Sequence, residues 1–287
     1  MIERTWESLV GIFDRIYFGR VGMICALCEE EKGKLIDSHF MPAAAYPHIR
    51  GSSELGNKSP VRINFWQRSA FQTDGQVKRE LLCKDCEDLF SKNGERKLGE
   101  LWANKSGFPL LTALESHILE SGANDFTLYD SNKIDKSIIQ SVFYFAISII
   151  WRAQVWDWGW ETDGYKKALG SKYERQFRDF LLGHIAVLDE VLLLVEINTD
   201  LKTSAVMSFP TCRRVSSDRL HTFDLLGMKF CLCVGQRLSA TTREPFETLS
   251  TNTIFISSNF RESIEFAKLA KHVQSTITPR GHLAKRY

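Results

Sequence analysis

The sequence predicts an α+β protein built in two parts, and three observations carry that prediction. Two Cys-x-x-Cys pairs, Cys25–Cys28 and Cys83–Cys86, punctuate the first hundred residues. Apolar residues recur at helical spacing over residues 135–156 and 171–182. After about Glu190 the texture changes to short apolar or alternating runs broken by polar turns, the pattern of strands. The boundary falls near residue 105, giving a cysteine-punctuated module at 1–105 and a domain of helices and a small sheet at 106–287.

Each element has its own signal. Trp6, Leu9, Val10, Ile12, Phe13 and Ile16 recur at spacings of three and four, which predicts an amphipathic first helix. Early acidic residues and the lack of a continuous apolar core argue against a secretory signal there. Residues 50–60 (RGSSELGNKSP) read as a loop, 61–72 (VRINFWQRSAFQ) as a strand, and Lys78–Leu82 leads straight into the second cysteine pair. Residues 87–102 read as a helix weakened by Gly94 and Gly99.

The most apolar segment is 137–160, but its uninterrupted run is far short of the roughly 20 residues a membrane span needs, and it contains Arg152. It reads as a buried helix with Phe143, Ile147, Ile150 and Trp151 inside, and no membrane partner is expected. Strands are expected at 191–197, 205–211, 229–236 and 252–258, and a last helix at Phe260–Val273.

Composition excludes several classes. The 287 residues are 44% hydrophobic and 25% charged, an ordinary globular balance without collagen-like or disordered bias. With 37 basic and 35 acidic residues the net charge is +2, too small for a protein that coats nucleic acid without preference. Any nucleic-acid contact must be local. Seven cysteines, an odd number, fit a reducing compartment, with the cytoplasm as default address. No phosphate-binding Gly-x-x-x-x-Gly-Lys, Gly-x-Ser-x-Gly elbow or His-Glu-x-x-His helix occurs.

The cysteine pairs are the strongest signal. A two-residue gap lets both thiolates of a tight turn face one ion, and two such turns complete a tetrahedral shell. Thiolates in that arrangement favour zinc, or less often an iron–sulfur cluster. Residues 29–82 exceed the usual zinc-ribbon spacing, so that stretch must form a substructure of its own. Cys212, Cys231 and Cys233 fall in strand-like runs, and the last two read as core.

The order CALC, KLIDSHFMP, ELLCKDCE and then a helix resembles the treble-clef zinc modules of the HNH (His-Me finger) endonuclease superfamily, over roughly residues 20–97. It looks especially like the divergent branch carrying Ser-His-apolar-apolar-Pro and Leu-Cys-x-x-Cys-Glu, common among bacterial proteins, some encoded beside anti-phage defence genes. The resemblance implies a ββα-type module, a structural Zn²⁺ on Cys25, Cys28, Cys83 and Cys86, and a catalytic Mg²⁺ or Mn²⁺. It implies hydrolysis of nucleic-acid phosphodiesters, DNA before RNA, plausible for an antiviral effector.

By position, His39 matches the general base and Glu87 stands where the superfamily has a histidine or asparagine metal ligand. Two positions depart: Ser38 replaces a metal-binding aspartate or histidine, and Lys78 replaces an asparagine that orients the histidine. Asp37 and Glu95 are further candidate carboxylates. Asp37 faces away from Ser38 on an extended strand, while Glu95, with Ser91, shares a helix face with Glu87. A second reading stays open: a non-catalytic, zinc-stabilised subunit that binds nucleic acid or protein. In that case His39 orders the turn before Pro42, and Glu87 is a carboxylate at a helix N-terminus.

Arg62, Trp66, Arg68, Lys78 and Arg79 interleave cation and aromatic. They read equally as phosphate contacts with base stacking or as a solvated sheet edge with one packed tryptophan. His48 reads as a loop residue or a phosphate contact. Trp151, Trp156, Trp158 and Trp160 read as core, and Cys212-Arg213-Arg214 and the tail PRGHLAKRY as solvated basic patches. The C-terminal domain is expected to serve target choice, sensing, or assembly with a protein partner or a second copy.

Overall fold

A computed structural model describes residues 22–50, 59–121, 126–159, 165, 167–215 and 218–285. The expected first helix, Trp160 and most of the 50–60 loop lie outside them. The chain begins with β1 (Met23–Ile24) and β2 (Glu31–Lys32), then β3 (Ile36–His39) and a 3₁₀ turn at Ala43–Ile49. A hairpin of β4 (Val61–Asn64) and β5 (Ser69–Gln72) precedes β6 (Lys78–Leu82). Next come α1 (Lys84–Phe90), a π-turn at Ser91–Glu95, α2 (Arg96–Leu101) and α3 (Pro109–Leu114).

β7 (Ile118–Ser121) and β8 (Phe126–Tyr129) lead into α4 (Lys136–Val155) and α5 (Ser171–Leu181). There follow β9 (Val191–Asn198), β10 (Thr211–Val215), β11 (Asp218–Leu225) and β12 (Met228–Val234). The described chain closes with α6 (Ala240–Thr248), β13 (Thr253–Ser258), α7 (Ile264–Thr276) and β14 (Thr278–Pro279).

The sheet is larger than expected. Seven strands run in the order β10-β11-β12-β9-β13-β8-β7, antiparallel except for the β9–β13 pair. Alternate residues of each central strand, such as Val191, Leu193, Val195 and Ile197 on β9, are buried. α4 is buried from Val142 to Gln154, including Phe143, Ile147, Ile150 and Trp151, and its Phe145 ring lies 5.7 Å from Phe230. Its start is fixed by Asp135, whose carboxylate accepts from the Ser137 N–H at 2.7 Å. By length and composition α4 could cross a membrane, but most of it is buried inside the protein.

The core does not break at residue 105. One cluster joins Cys25, Phe40, Phe90 and Leu98 to Phe145, Phe223 and Phe230. The two parts also approach closely at Gly94, where an added Cβ would stand 3.2 Å from the backbone N and Cα of Phe145.

Several expected elements change. The single strand at 61–72 is a hairpin, because the Asn64 side chain accepts from the Gln67 N–H at 2.9 Å and Arg68 turns the chain at φ 47°. The expected strand at 205–211 contributes only a bridge from Met207 to Leu225 and the first residue of β10. Cys212-Arg213-Arg214 lies within β10, with both arginines exposed. The last helix starts later than Phe260, at the Ser263 cap, whose hydroxyl accepts from the Phe266 N–H, and buries no residue.

Candidate metal centre and the acidic site behind it

The first cysteine pair is shaped by backbone geometry. β1 and β2 hold a tight turn in which the Cys25 carbonyl accepts from the Glu29 N–H at 2.9 Å, and Glu29 takes φ 58°. The Ala26 N–H reaches the Leu81 carbonyl at 3.0 Å, tying this turn to the end of β6, two residues before Cys83. Cys83 is the N-cap of α1 and Cys86 lies in its first turn, and the Cys83 N–H donates to Cys25 Sγ at 3.2 Å.

All four sulfurs lie within 4.8 Å of one another, with 4.0 Å between Cys28 and Cys83. Tetrahedral thiolate coordination at Zn–S ~2.3 Å implies S–S separations of about 3.8 Å, so the cluster could hold a metal ion such as zinc. A hydrogen bond from Cys86, followed by the N–H groups of Cys28, Cys83 and Leu27, holds Cys25 down to about 4 against the effect of burial. Cys25 thereby raises Cys86, with burial adding to the effect, and burial raises Cys28. The charge on Cys25 opposes ionisation of Cys86 and Cys28, which a cation would relieve.

On the helix side of this shell, β3 pairs antiparallel with β6, setting His39 opposite Lys78 and Ser38 opposite Arg79. Strand alternation turns Ser38 inward, where it is fully buried and its hydroxyl donates to Glu87 Oε2 at 3.0 Å. Asp37 is not brought to Glu87. It is exposed on the opposite face, 2.5 Å from Lys78 Nζ. Thus the serine at the departing position bridges strand to helix, and the neighbouring aspartate does not replace it.

Glu87 is half-buried, and burial raises its pKa, with Glu95 adding to the shift. Arg152, Ser38 and His39 pull it back. Glu95 is eight residues from Glu87, about 80° off its face in a regular α-helix. The π-turn inserts one residue, which makes the offset nearer seven residues, or two turns. This aligns the two carboxylates, but Glu95 is committed: Arg152 Nη2 donates to it at 2.6 Å.

Sequence reasoning missed Arg152. Its guanidinium is wholly buried, donates to the Phe40 carbonyl at 3.2 Å and lies 4.6 Å over the Phe90 ring. The signal was present, since an arginine inside an apolar helix demands a partner. The expected tryptophan core has a specific place. Trp156 and Trp158 pack on Phe40, the residue after His39, at 5.0 and 4.8 Å.

His48 packs on Trp102 at 5.6 Å, and Arg79 ion-pairs with Asp157. Two cavities of about 430 Å³ open instead around Gly235 and Leu238, away from His39 and Glu87. No family model, curated protein or solved structure matches the chain.

Proposed function

We propose that the chain is a metal-dependent endonuclease of HNH-like, treble-clef type, hydrolysing phosphodiesters of nucleic acid, DNA before RNA. The observation that carries this reading is one juxtaposition. His39, at the end of β3, follows Ser38, whose hydroxyl donates to Glu87 on the first turn of α1, and none of the three belongs to the cysteine shell. Glu87 suits Mg²⁺ or Mn²⁺, which bind through one or two carboxylates and keep several waters. Such an ion would neutralise charge on the phosphate and the leaving oxygen. His39 takes the proton of the attacking water as its oxygen bonds to phosphorus, and the P–O bond to the leaving sugar breaks. Arg152 holds Glu95 and the Phe40 carbonyl, fixing helix and strand around His39.

The non-catalytic reading keeps one specific support. Glu95 is neutralised by Arg152 and Asp37 by Lys78, which leaves Glu87 as the one carboxylate of the four-residue set without an ion-pair partner among the described residues. The deciding experiment is plasmid nicking with added Mn²⁺ by the parent, His39→Ala and Glu87→Gln, each checked for zinc content and melting temperature. The nuclease reading predicts a ~10²–10⁴-fold loss in His39→Ala with zinc and fold retained. A parent without cleavage, or a His39→Ala variant that cleaves equally well, replaces it with the binding module.

A further inference from the structure

Trp66 at the tip of the β4–β5 hairpin is 79% exposed, the highest value among the large apolar side chains of the described residues. Of the two readings of this segment, the one with a packed tryptophan is therefore not the one seen. The support of Trp66 is nonetheless fixed. The Phe65 ring next to it stacks on His272 of α7 at 5.8 Å, and β14 pairs parallel with β5. The Thr278 N–H donates to the Arg68 carbonyl at 2.9 Å, and the Arg280 N–H to Ala70 at 2.8 Å.

Charge gathers on the same surface. The hairpin and residues 260–285 hold seven lysines and arginines against two glutamates, on a chain whose net charge is only +2. Arg62, Arg68, Lys268, Lys271, Arg280 and Lys285 are exposed and in no salt bridge among the described residues. Packed rings also link the hairpin to the candidate site. Arg62 lies 5.7 Å over Phe209, which packs at 5.4 Å on Phe40, the neighbour of His39.

We infer that this hairpin, with α7 and β14, is a docking surface for single-stranded nucleic acid, Trp66 stacking on an unpaired base while the lysines and arginines meet phosphates. The inference rests on the reading of nucleic acid as substrate. An isolated indole face suits an unpaired base, whose π-face a duplex hides. Unpaired lysines around it suit phosphates and are depleted from protein–protein interfaces.

The test is fluorescence-anisotropy binding of a labelled 20-nucleotide oligo-dT and a 20-base-pair duplex, with zinc-loaded full chain and no added Mg²⁺ or Mn²⁺, so cleavage plays no part. The parent should bind the single strand more tightly. Trp66→Ala should weaken that binding about tenfold at unchanged melting temperature, and Trp66→Phe should restore most of it. Lys268→Gln with Lys271→Gln should flatten the salt dependence of log K by about 1.4, the value for two phosphates on a single strand.

Oligo-dT binding equal to the parent in Trp66→Ala overturns the inference. So does tighter, Trp66-independent binding of duplex, or a Trp66→Ala variant that loses only a protein partner. Trp66-dependent binding by a protein that never nicks plasmid sustains this inference while the nuclease reading falls. Nicking with Trp66-independent binding has the opposite meaning.

Discussion

Arg152 and Glu95 meet at 2.6 Å across the junction between the longest apolar helix and the helix that carries the second cysteine pair. The arginine is wholly buried and Glu95 is 20% exposed on its side chain, so the pair links the two parts where water is scarce. Arg152→Met should therefore cost about 3 kcal/mol, because it leaves Glu95 partly buried without its cation and the Phe40 carbonyl without this donor. Adding Glu95→Gln should recover part of that loss. Urea denaturation of the two single variants and the double one measures the coupling, and additive effects would show the pair to be incidental.

Metal content is the second prediction. Protein purified without chelator should carry about one zinc per chain, and Cys86→Ser should lose the metal and lower the melting temperature sharply. Elemental analysis that finds neither zinc nor iron would remove the metal centre.

Gly94→Ala sets helix propensity against packing. Alanine gains up to about 1 kcal/mol over glycine in a helix, while crowding a packed core costs about 1–3 kcal/mol. The atoms that the new methyl meets are the N, Cα and Cβ of Phe145 in buried α4, which cannot swing aside. Packing should win, with a net loss of about 1 kcal/mol in thermal or urea unfolding. A more stable Gly94→Ala variant would mean that α4 yields.

The fourth prediction concerns acid. His221 is buried on β11 beside the Tyr165 hydroxyl at 2.5 Å, and burial followed by the charge of Arg219 holds its pKa down to about 4. The folded state thus binds this proton less tightly than the unfolded chain, whose histidine titrates near 6.5. Its share of stability is complete above pH 6.5 and falls as the pH drops towards 4, by about 3 kcal/mol in all. His221→Gln should flatten the difference in stability between pH 7 and pH 4 relative to the parent. An unchanged pH profile would place the acid sensitivity elsewhere.

The parts of this protein that were legible share one property: their signal is local. Cys-x-x-Cys spacing, Ser38-His39 at a strand end and Glu87 after the last cysteine can all be read within a few residues. So can α4 and α5, whose apolar periodicity needs no partner to be recognised. β11 escaped because His221 takes an inward place on it beside Phe223 and Leu225, and Asp218 is buried at its start, which breaks the apolar alternation. Arg152 escaped because its partner Glu95 lies 57 residues away in sequence and aligns with Glu87 only through a π-turn. Both misses come from polar groups that the interior accepts only when paired, and pairing is long-range.

β5 lies between β4 and β14, so the middle strand of the hairpin sheet waits for a partner from the far end of the described chain. During synthesis at about 5–20 residues per second, roughly two hundred residues must follow β5 before Thr278 and Pro279 emerge, about 10–40 s later. Throughout that interval the nascent chain presents a bare strand edge next to exposed Val61, Ile63 and Trp66, a template for pairing with a neighbouring copy. A chain cut short before Thr278 would keep that edge open permanently, and its yield would be set by self-association rather than by the stability of its core.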